Sequence, residues 1–384
     1  MKRLILVGGG HAHVFILRQL ALSRRTDIEA LLISPSVWTY YSGMLPGWMA
    51  GHYREEECRI DLSSLAARAL VRLVPQAAVG LDVDRCEVCL RDGMRLTYDL
   101  LSLDIGSETD CEPLSKLGDR LIPVKPLLEF QTAWTRLMDA ARGAAAPRIV
   151  VVGGGAAGVE LAMAAQCALG RVSPAAQVVL VSGEAGVVPT HGVAVRRRVM
   201  RALERLGVGV VAQRAAGVPD GVLLDDGRRL EADQVIAATG ARAPAWLAPS
   251  RLALDAEGYV AVDAFHRSAS HKNVFAAGDV CSRKDASLAR SGVHAVRAGP
   301  VLARNLLAAL DGRALDPFIP SRRSLYLLST GDGRAIASWG SLSAEGAWVW
   351  RLKDAIDRRF IRQFSVGATG RARPDLDDGP RTFL

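Results

Sequence analysis

One pattern occurs twice in this chain, and it constrains the fold more than any other feature. "KRLILVGGG" near the start and "PRIVVVGGGAAGVELAMAAQCA" further on each pass from an apolar strand through a glycine turn into an amphipathic helix. Gly8 of the first copy and Gly153 of the second stand a domain's length apart, which is the spacing of whole units and not of solenoid repeats. Each copy is followed by a strand that ends in a polar turn, "YDLLSLDIGS" (98–107) and "ADQVIAATGARAP" (232–244). The expectation is an α/β fold with two nucleotide-binding units.

A glycine turn between strand and helix lets backbone N–H groups and the positive end of the helix meet a pyrophosphate, because no side chain blocks the approach. The second copy has the full G-x-G-x-x-G pattern in Gly153, Gly155 and Gly158, with Ala156 and Ala157 opening the helix. In the first copy Gly8 and Gly10 are followed by His11, Ala12 and His13, and His13 stands where the third glycine is expected. That third position serves close packing of helix on strand and not phosphate contact, so the pyrophosphate site survives its loss. His11 and His13 have no further Cys, His or carboxylate cluster nearby, and no metal site is expected.

An acid normally ends the next strand and binds the adenosine ribose. Here Ser34, followed by Pro35, takes that place in the first unit, and Ser182 takes it in the second, with Glu184 two residues on. A serine hydroxyl still hydrogen-bonds, more weakly. Arg196, Arg197 and Arg198 fit either a 2′-phosphate or a solvated helix face, so the choice between NADH and NADPH is not legible.

Composition bounds the rest. The 384 residues, 49% of them hydrophobic but only 5% aromatic and with 37 glycines, suit helices packed closely on sheets. The net charge of +8 is spread along the chain without a nucleic-acid motif, so no nucleic-acid partner is expected. Six scattered cysteines and the lack of a leader-like apolar run before the first glycines point to a reducing, cytoplasmic setting. No run of about 18 apolar residues is present, so any membrane contact is expected to be peripheral.

The stretch "HKNVFAAGDV" (271–280), with Gly278 and Asp279, joins the two glycine turns and the "AATG" that contains Thr239 and Gly240. Together they resemble the pyridine nucleotide-disulfide oxidoreductase superfamily of two-dinucleotide-binding-domain flavoproteins, over residues 1 to 315 and in the right order. The resemblance implies FAD in the first unit and NAD(P)H in the second. It implies two Rossmann-like domains, 1–118 with 245–318 for FAD and 119–244 for NAD(P), then a small C-terminal α+β module at 319–366 and a polar tail at 367–384. In that family the Asp of the "GD" motif binds the ribityl chain, a role it implies for Asp279. The helix that follows points its start, here Gly292, Val293 and His294, at the flavin pyrimidine. Gly106 belongs to "DIG", which stands where the family carries "ATG".

Family disulfide reductases place a Cys pair in the region that reads "WTYYSGMLPGWMAGHY" (38–53) here, without cysteine. "CEVC" (86–89) lies in an apparent strand that turns its two thiols to opposite faces. Sulfide:quinone oxidoreductases need a C-terminal redox cysteine, and none follows Cys281. The chain is therefore more similar to type II NADH:quinone oxidoreductases, and "GGGHAHV", "LSLDIGS" and "WVWRLKDAIDRRF" resemble the flavoprotein half that some bacteria fuse ahead of selenophosphate synthetase. By this resemblance Glu160 approaches the nicotinamide and flavin, against a reading as a dipole-favoured helix acid. Lys125 in "VKP" stabilises negative charge on the flavin, against a reading as a surface lysine, and Tyr40, Tyr41 and Met44 line an acceptor cleft or a core helix.

The last periodic segment, 348–364, repeats Val349, Leu352, Ile356, Phe360 and Phe364 at helical spacing among basic residues. Such a helix lies in an anionic membrane surface or packs onto the protein or a homodimer partner. The expected activity is transfer from NAD(P)H through FAD to a quinone-like or other small acceptor. The alternatives are oxidation of a sulfur or selenium compound and a non-catalytic partner of selenophosphate synthetase.

Overall fold

The computed structural model describes residues 1–143, 146–286, 292–321 and 324–365; the tail expected at 367–384 lies outside them. The strands β1 (Lys2–Val7), β2 (Ile28–Ile33), β3 (Val71–Val74) and β4 (Leu100–Leu103) are followed by β5 (Leu121–Pro123), β6 (Arg148–Val152), β7 (Gln177–Val181), β8 (Gly209–Val211), β9 (Gln234–Ala237) and β10 (Val274–Ala276). They form two five-stranded parallel sheets, β10-β4-β1-β2-β3 and β5-β9-β6-β7-β8, which match in their four inner and far strands and differ in the edge strand, the last in chain order in one and the first in the other. In both, the strand before the glycine turn is central, and the chain changes direction across the sheet beside it. Ligands of open α/β sheets bind at such a switch point.

Apolar residues run unbroken through the central strands because both faces are covered. Leu4 and Leu6 pack with Val14, Leu17 and Leu20 of helix α1 (His13–Ser23), while Ile5 and Val7 face a second cluster with Leu101 and Leu103. Ile149 and Val151 pack against helix α2 (Ala156–Val172), and Val150 and Val152 turn the other way. Full burial of one such side chain is worth about 1.5–3 kcal/mol. Each sheet also carries a three-stranded antiparallel meander, over 78–97 and 215–231. The remaining helices that shape the site are α3 (Val193–Leu206) and α4 (Gly292–Leu310).

At the C-terminal end, β11 (Leu325–Ser329), β12 (Ala335–Trp339) and β13 (Leu342–Gly346) form an antiparallel meander that leads into helix α5 (Ala347–Arg362). The structure corrects the expected apolar stripe of α5. Val349, Phe360 and Phe364 are buried, but Leu352 and Ile356 are 39% and 42% exposed. The buried row runs instead through Lys353 and Asp357, which neutralise each other at 2.6 Å, so a paired charge replaces apolar residues on the inner face. Trp348, Leu352 and Ile356 form an outer row. Among the described residues no helix is long and apolar enough to cross a membrane.

Candidate active site

The two glycine turns sit at equivalent places. Gly8 and Gly153 adopt φ of +96° and +132°, and a Cβ on either would collide with the carbonyl oxygen of the residue after the neighbouring strand, Asp104 or Ala238. Their amides donate to Ile33 and Val181, each at 2.8 Å. Only glycine tolerates this geometry.

Beyond that point the copies differ. In the second, α2 starts at Ala156, and a Cβ on Gly158 would strike the Gly153 carbonyl, so helix and strand touch. In the first, His13 cannot approach in this way, and α1 starts two positions later in the pattern, at His13 itself. The imidazole fills the gap: Nδ1 lies 2.6 Å from the Gly8 carbonyl and Nε2 2.9 Å from Ser102 Oγ. Nδ1–H must donate to the carbonyl, so Nε2 accepts from the hydroxyl and the ring is neutral. Burial pushes its pKa down to about 4.

Asp104 fills the rest of the opened turn. Its Oδ2 accepts the Ala12 and His13 amides at 2.7 and 2.9 Å. Burial pushes this carboxyl up to about 7, against the downward pull of the two amides and with a further upward push from Asp279. His11, beside it, packs its ring against Tyr41 and Phe360, its buried Nε2 has no hydrogen-bond partner, and burial lowers its pKa to about 4.

Asp279 and Lys125 meet near this turn. Lys125 Nζ donates to Asp279 Oδ2 at 2.5 Å and to Ser107 Oγ at 2.9 Å. Gly278 has φ of +72°, and a Cβ there would press on Asp104 Oδ1. Gly292, Val293 and His294 open α4 as its first described residues, with burial lowering the His294 pKa.

Glu160 lies one turn into α2, is half-buried, and accepts the Ser329 amide of β11 at 2.7 Å. Burial pushes its carboxyl up to about 7, Lys353 pulls it down and Asp357 pushes it up. Lys353 Nζ donates to the Gly43 carbonyl and to Asp357, both at 2.6 Å, so α5 clasps the "YYSGMLP" segment. Tyr41 stacks on Phe360 at 4.4 Å between ring centroids, and burial together with Asp357 raises its pKa. Tyr40 instead points to Glu55, and Met44 is core.

Other expected residues are placed more plainly. Ser34 is buried and donates to the Ser36 carbonyl at 2.8 Å, with Pro35 exposed between them. The Ser182 hydroxyl turns to the Gly183 and Val211 carbonyls, and the Thr239 hydroxyl donates to the Asp110 carbonyl. Arg196 donates to the His191 and Pro189 carbonyls and Arg198 pairs with Glu345. Cys58 is buried with its thiol pushed up to about 12 by burial. No disulfide joins Cys86 and Cys89. No group of three or more metal-ligating side chains occurs among the described residues.

Asp104, Lys353 and Asp357 were not among the expected site residues. "DIG" in place of "ATG" carried the signal for Asp104, and the i, i+4 spacing of lysine and aspartate in "KDAID" carried it for the pair.

The geometry fits two dinucleotides. Gly8 and Gly153 press on carbonyls, whereas Gly106, Gly155 and Gly240 face open space at the carboxyl edges of the sheets. These openings lie beside the starts of α1 and α2, where N–H groups favour an anion.

Comparison with known proteins agrees. The family model for pyridine nucleotide-disulphide oxidoreductase matches residues 2–299. An oxidoreductase of Pestalotiopsis fici is 26% identical over 378 residues, covering 93% of this chain and 96% of that protein. An NADH dehydrogenase-like protein of Mycobacterium tuberculosis is 29% identical over 304 residues, 74% of each. The sulfide:quinone oxidoreductase structure from Aquifex aeolicus shares the fold with a TM-score of 0.77 at 16% identity, covering 95% of this chain and 91% of that one. The repeated turns, the shared fold and a family match over most of its length have one conclusion: the chain belongs to the pyridine nucleotide-disulphide oxidoreductase family, with FAD and NAD(P)H as its cofactors.

Proposed function

We propose that the protein takes electrons from NAD(P)H through FAD and delivers them to a quinone-like or other small acceptor, with no protein disulfide in the path. The observation that carries this reading is the clasp over the cleft. Where a redox Cys pair would stand, Tyr41, His11 and Phe360 pack as rings beneath the Lys353–Asp357 pair. Cys58 is buried, and burial favours its protonated thiol.

In this reading Gly8, Gly10, His11, Ala12, His13, Ser34, Pro35, Gly106, Gly278, Asp279, Gly292, Val293 and His294 line the FAD site. Gly153, Gly155, Ala156, Ala157, Gly158, Ser182, Thr239 and Gly240 line the NAD(P)H site. FAD, when bound, supplies the two-electron chemistry. Lys125 sets a positive charge beside Asp279, where it offsets negative charge arriving at the site. Glu160 accepts the Ser329 amide at Oε1, and with its pKa pushed up to about 7 it can gain or lose a proton near neutral pH.

The first test is an anaerobic visible spectrum before and after NADH, then NADPH, then a water-soluble quinone. Bleaching by a nicotinamide and recovery with the quinone supports the reading. A flavin that neither nicotinamide bleaches overturns it, and loss of turnover on alkylating Cys58, Cys111 or Cys281 points to sulfur or selenium oxidation instead. Trp348, Leu352 and Ile356, exposed beside Arg351, Arg359 and Arg362, support peripheral contact with an anionic membrane. Sedimentation with anionic vesicles checks this, and binding unchanged in Leu352→Asp would count against it.

A further inference from the structure

The two units provide an internal comparison. Asp104 and Ala238 follow equivalent strands, and their amides donate to Val7 and Val152 at 2.9 and 2.8 Å. The second unit therefore has a methyl group where the first has a carboxylate. Among the described residues no side-chain hydrogen bond caps α2, whereas in the first turn Asp104 takes the amides of Ala12 and His13. In the function proposed above, on which this inference rests, the FAD diphosphate takes the same helix start, so the first unit sets two anions against one set of donors.

We propose that Asp104 couples FAD binding to the uptake of one proton: the carboxyl and the diphosphate share the first turn of α1, and the protonated carboxyl is the form that accommodates the cofactor.

The carboxyl is buried, and a Cβ on Gly10 or Gly278 would press on it, so it has no room to swing away from the arriving phosphates. Protonation removes the repulsion and keeps an acceptor oxygen for the amides. By reciprocity, bound FAD raises the proton affinity of Asp104 as much as a proton raises affinity for FAD. Starting from about 7, the carboxyl is partly ionised at neutral pH, so the coupling falls in the physiological range.

The other charged or titratable groups around it are His13 and His11 on the turn, Asp279 after β10, Lys125 paired to Asp279, and His294 on α4. His11 and His13, held near 4, are neutral throughout this window. His294 is the remaining imidazole, and variants at Asp104 separate its contribution.

The experiment titrates apoprotein with FAD in two buffers of different ionisation enthalpy, which counts protons, and follows flavin fluorescence, which reads Kd. Uptake is expected to approach one proton per FAD above about pH 7, with Kd weakening by up to about tenfold per pH unit. Asp104→Asn, which keeps the acceptor, and Asp104→Ala, which copies the second unit, are each expected to abolish the uptake and to bind FAD more tightly than wild type at alkaline pH. Wild-type uptake near zero overturns the proposal, and so does an uptake that survives in either folded variant. Neither readout depends on turnover or on the acceptor.

Discussion

Lys125 and Asp279, 154 positions apart in the chain, meet at 2.5 Å beside the first glycine turn. The contact ties the segment that enters the second unit to the loop that closes the first. Lys125→Met strands the Asp279 carboxylate, 16% exposed, without its partner. A charge-assisted bond of this kind is worth about 1.5–3 kcal/mol. FAD affinity is therefore expected to fall about tenfold or more, measured by fluorescence titration, and a Kd within twofold of wild type would remove the pair from the binding machinery.

Glu160 makes stability depend on pH. Its folded-state pKa, about 7, lies above the ordinary glutamate value of 4.5, so protonated Glu160 favours the folded state. That contribution is complete below 4.5 and is lost as pH rises through about 7. Glu160→Gln keeps an acceptor for the Ser329 amide and cannot ionise. Thermal melts from pH 5 to 8 should show a shallower decline in this variant than in wild type, with a gap on the order of 2–3 kcal/mol at the alkaline end. Parallel curves would show that Glu160 stays ionised throughout.

Gly158 is the contact between α2 and β6, where a Cβ would collide with the Gly153 carbonyl. Gly158→Ala must push the helix away, at a cost of about 1–3 kcal/mol. Because the strain is confined to the second unit, KM for NAD(P)H is expected to rise severalfold while FAD content is unchanged. Equal loss of both cofactors would mean that the two sites are not built independently.

Lys353 and Asp357 are both buried. Removing one charge leaves the other uncompensated, which costs about 3–5 kcal/mol, whereas replacing both with apolar residues is often neutral. Urea denaturation of Lys353→Met should show a large loss and that of Lys353→Met with Asp357→Leu a small one. Additive losses would show that the pair contributes no coupling.

Local pattern made both glycine turns legible. An apolar strand buried on both faces and a turn that only glycine can make leave their mark within ten residues, as "LILVGGG" and "RIVVVGGG" do. Hence the α/β class and the two strand–glycine-turn–helix units could be read before any contact was known. The face of α5 could not be read, because two rows of that helix are each apolar enough to be buried. Packing against Tyr41, Gly43 and Phe15 chose the row that includes Lys353 and Asp357.

The sequence by itself determined the strands, the glycine positions and the family, because those follow from short-range sterics and periodicity. Only the tertiary structure decided what His13, Asp104 and Glu160 do. Asp104 reaches His13 across 91 positions and Glu160 reaches Ser329 across 169. The charge and hydrogen bonds of a buried polar group are set by whichever distant groups the fold brings to it, and no local pattern encodes those neighbours.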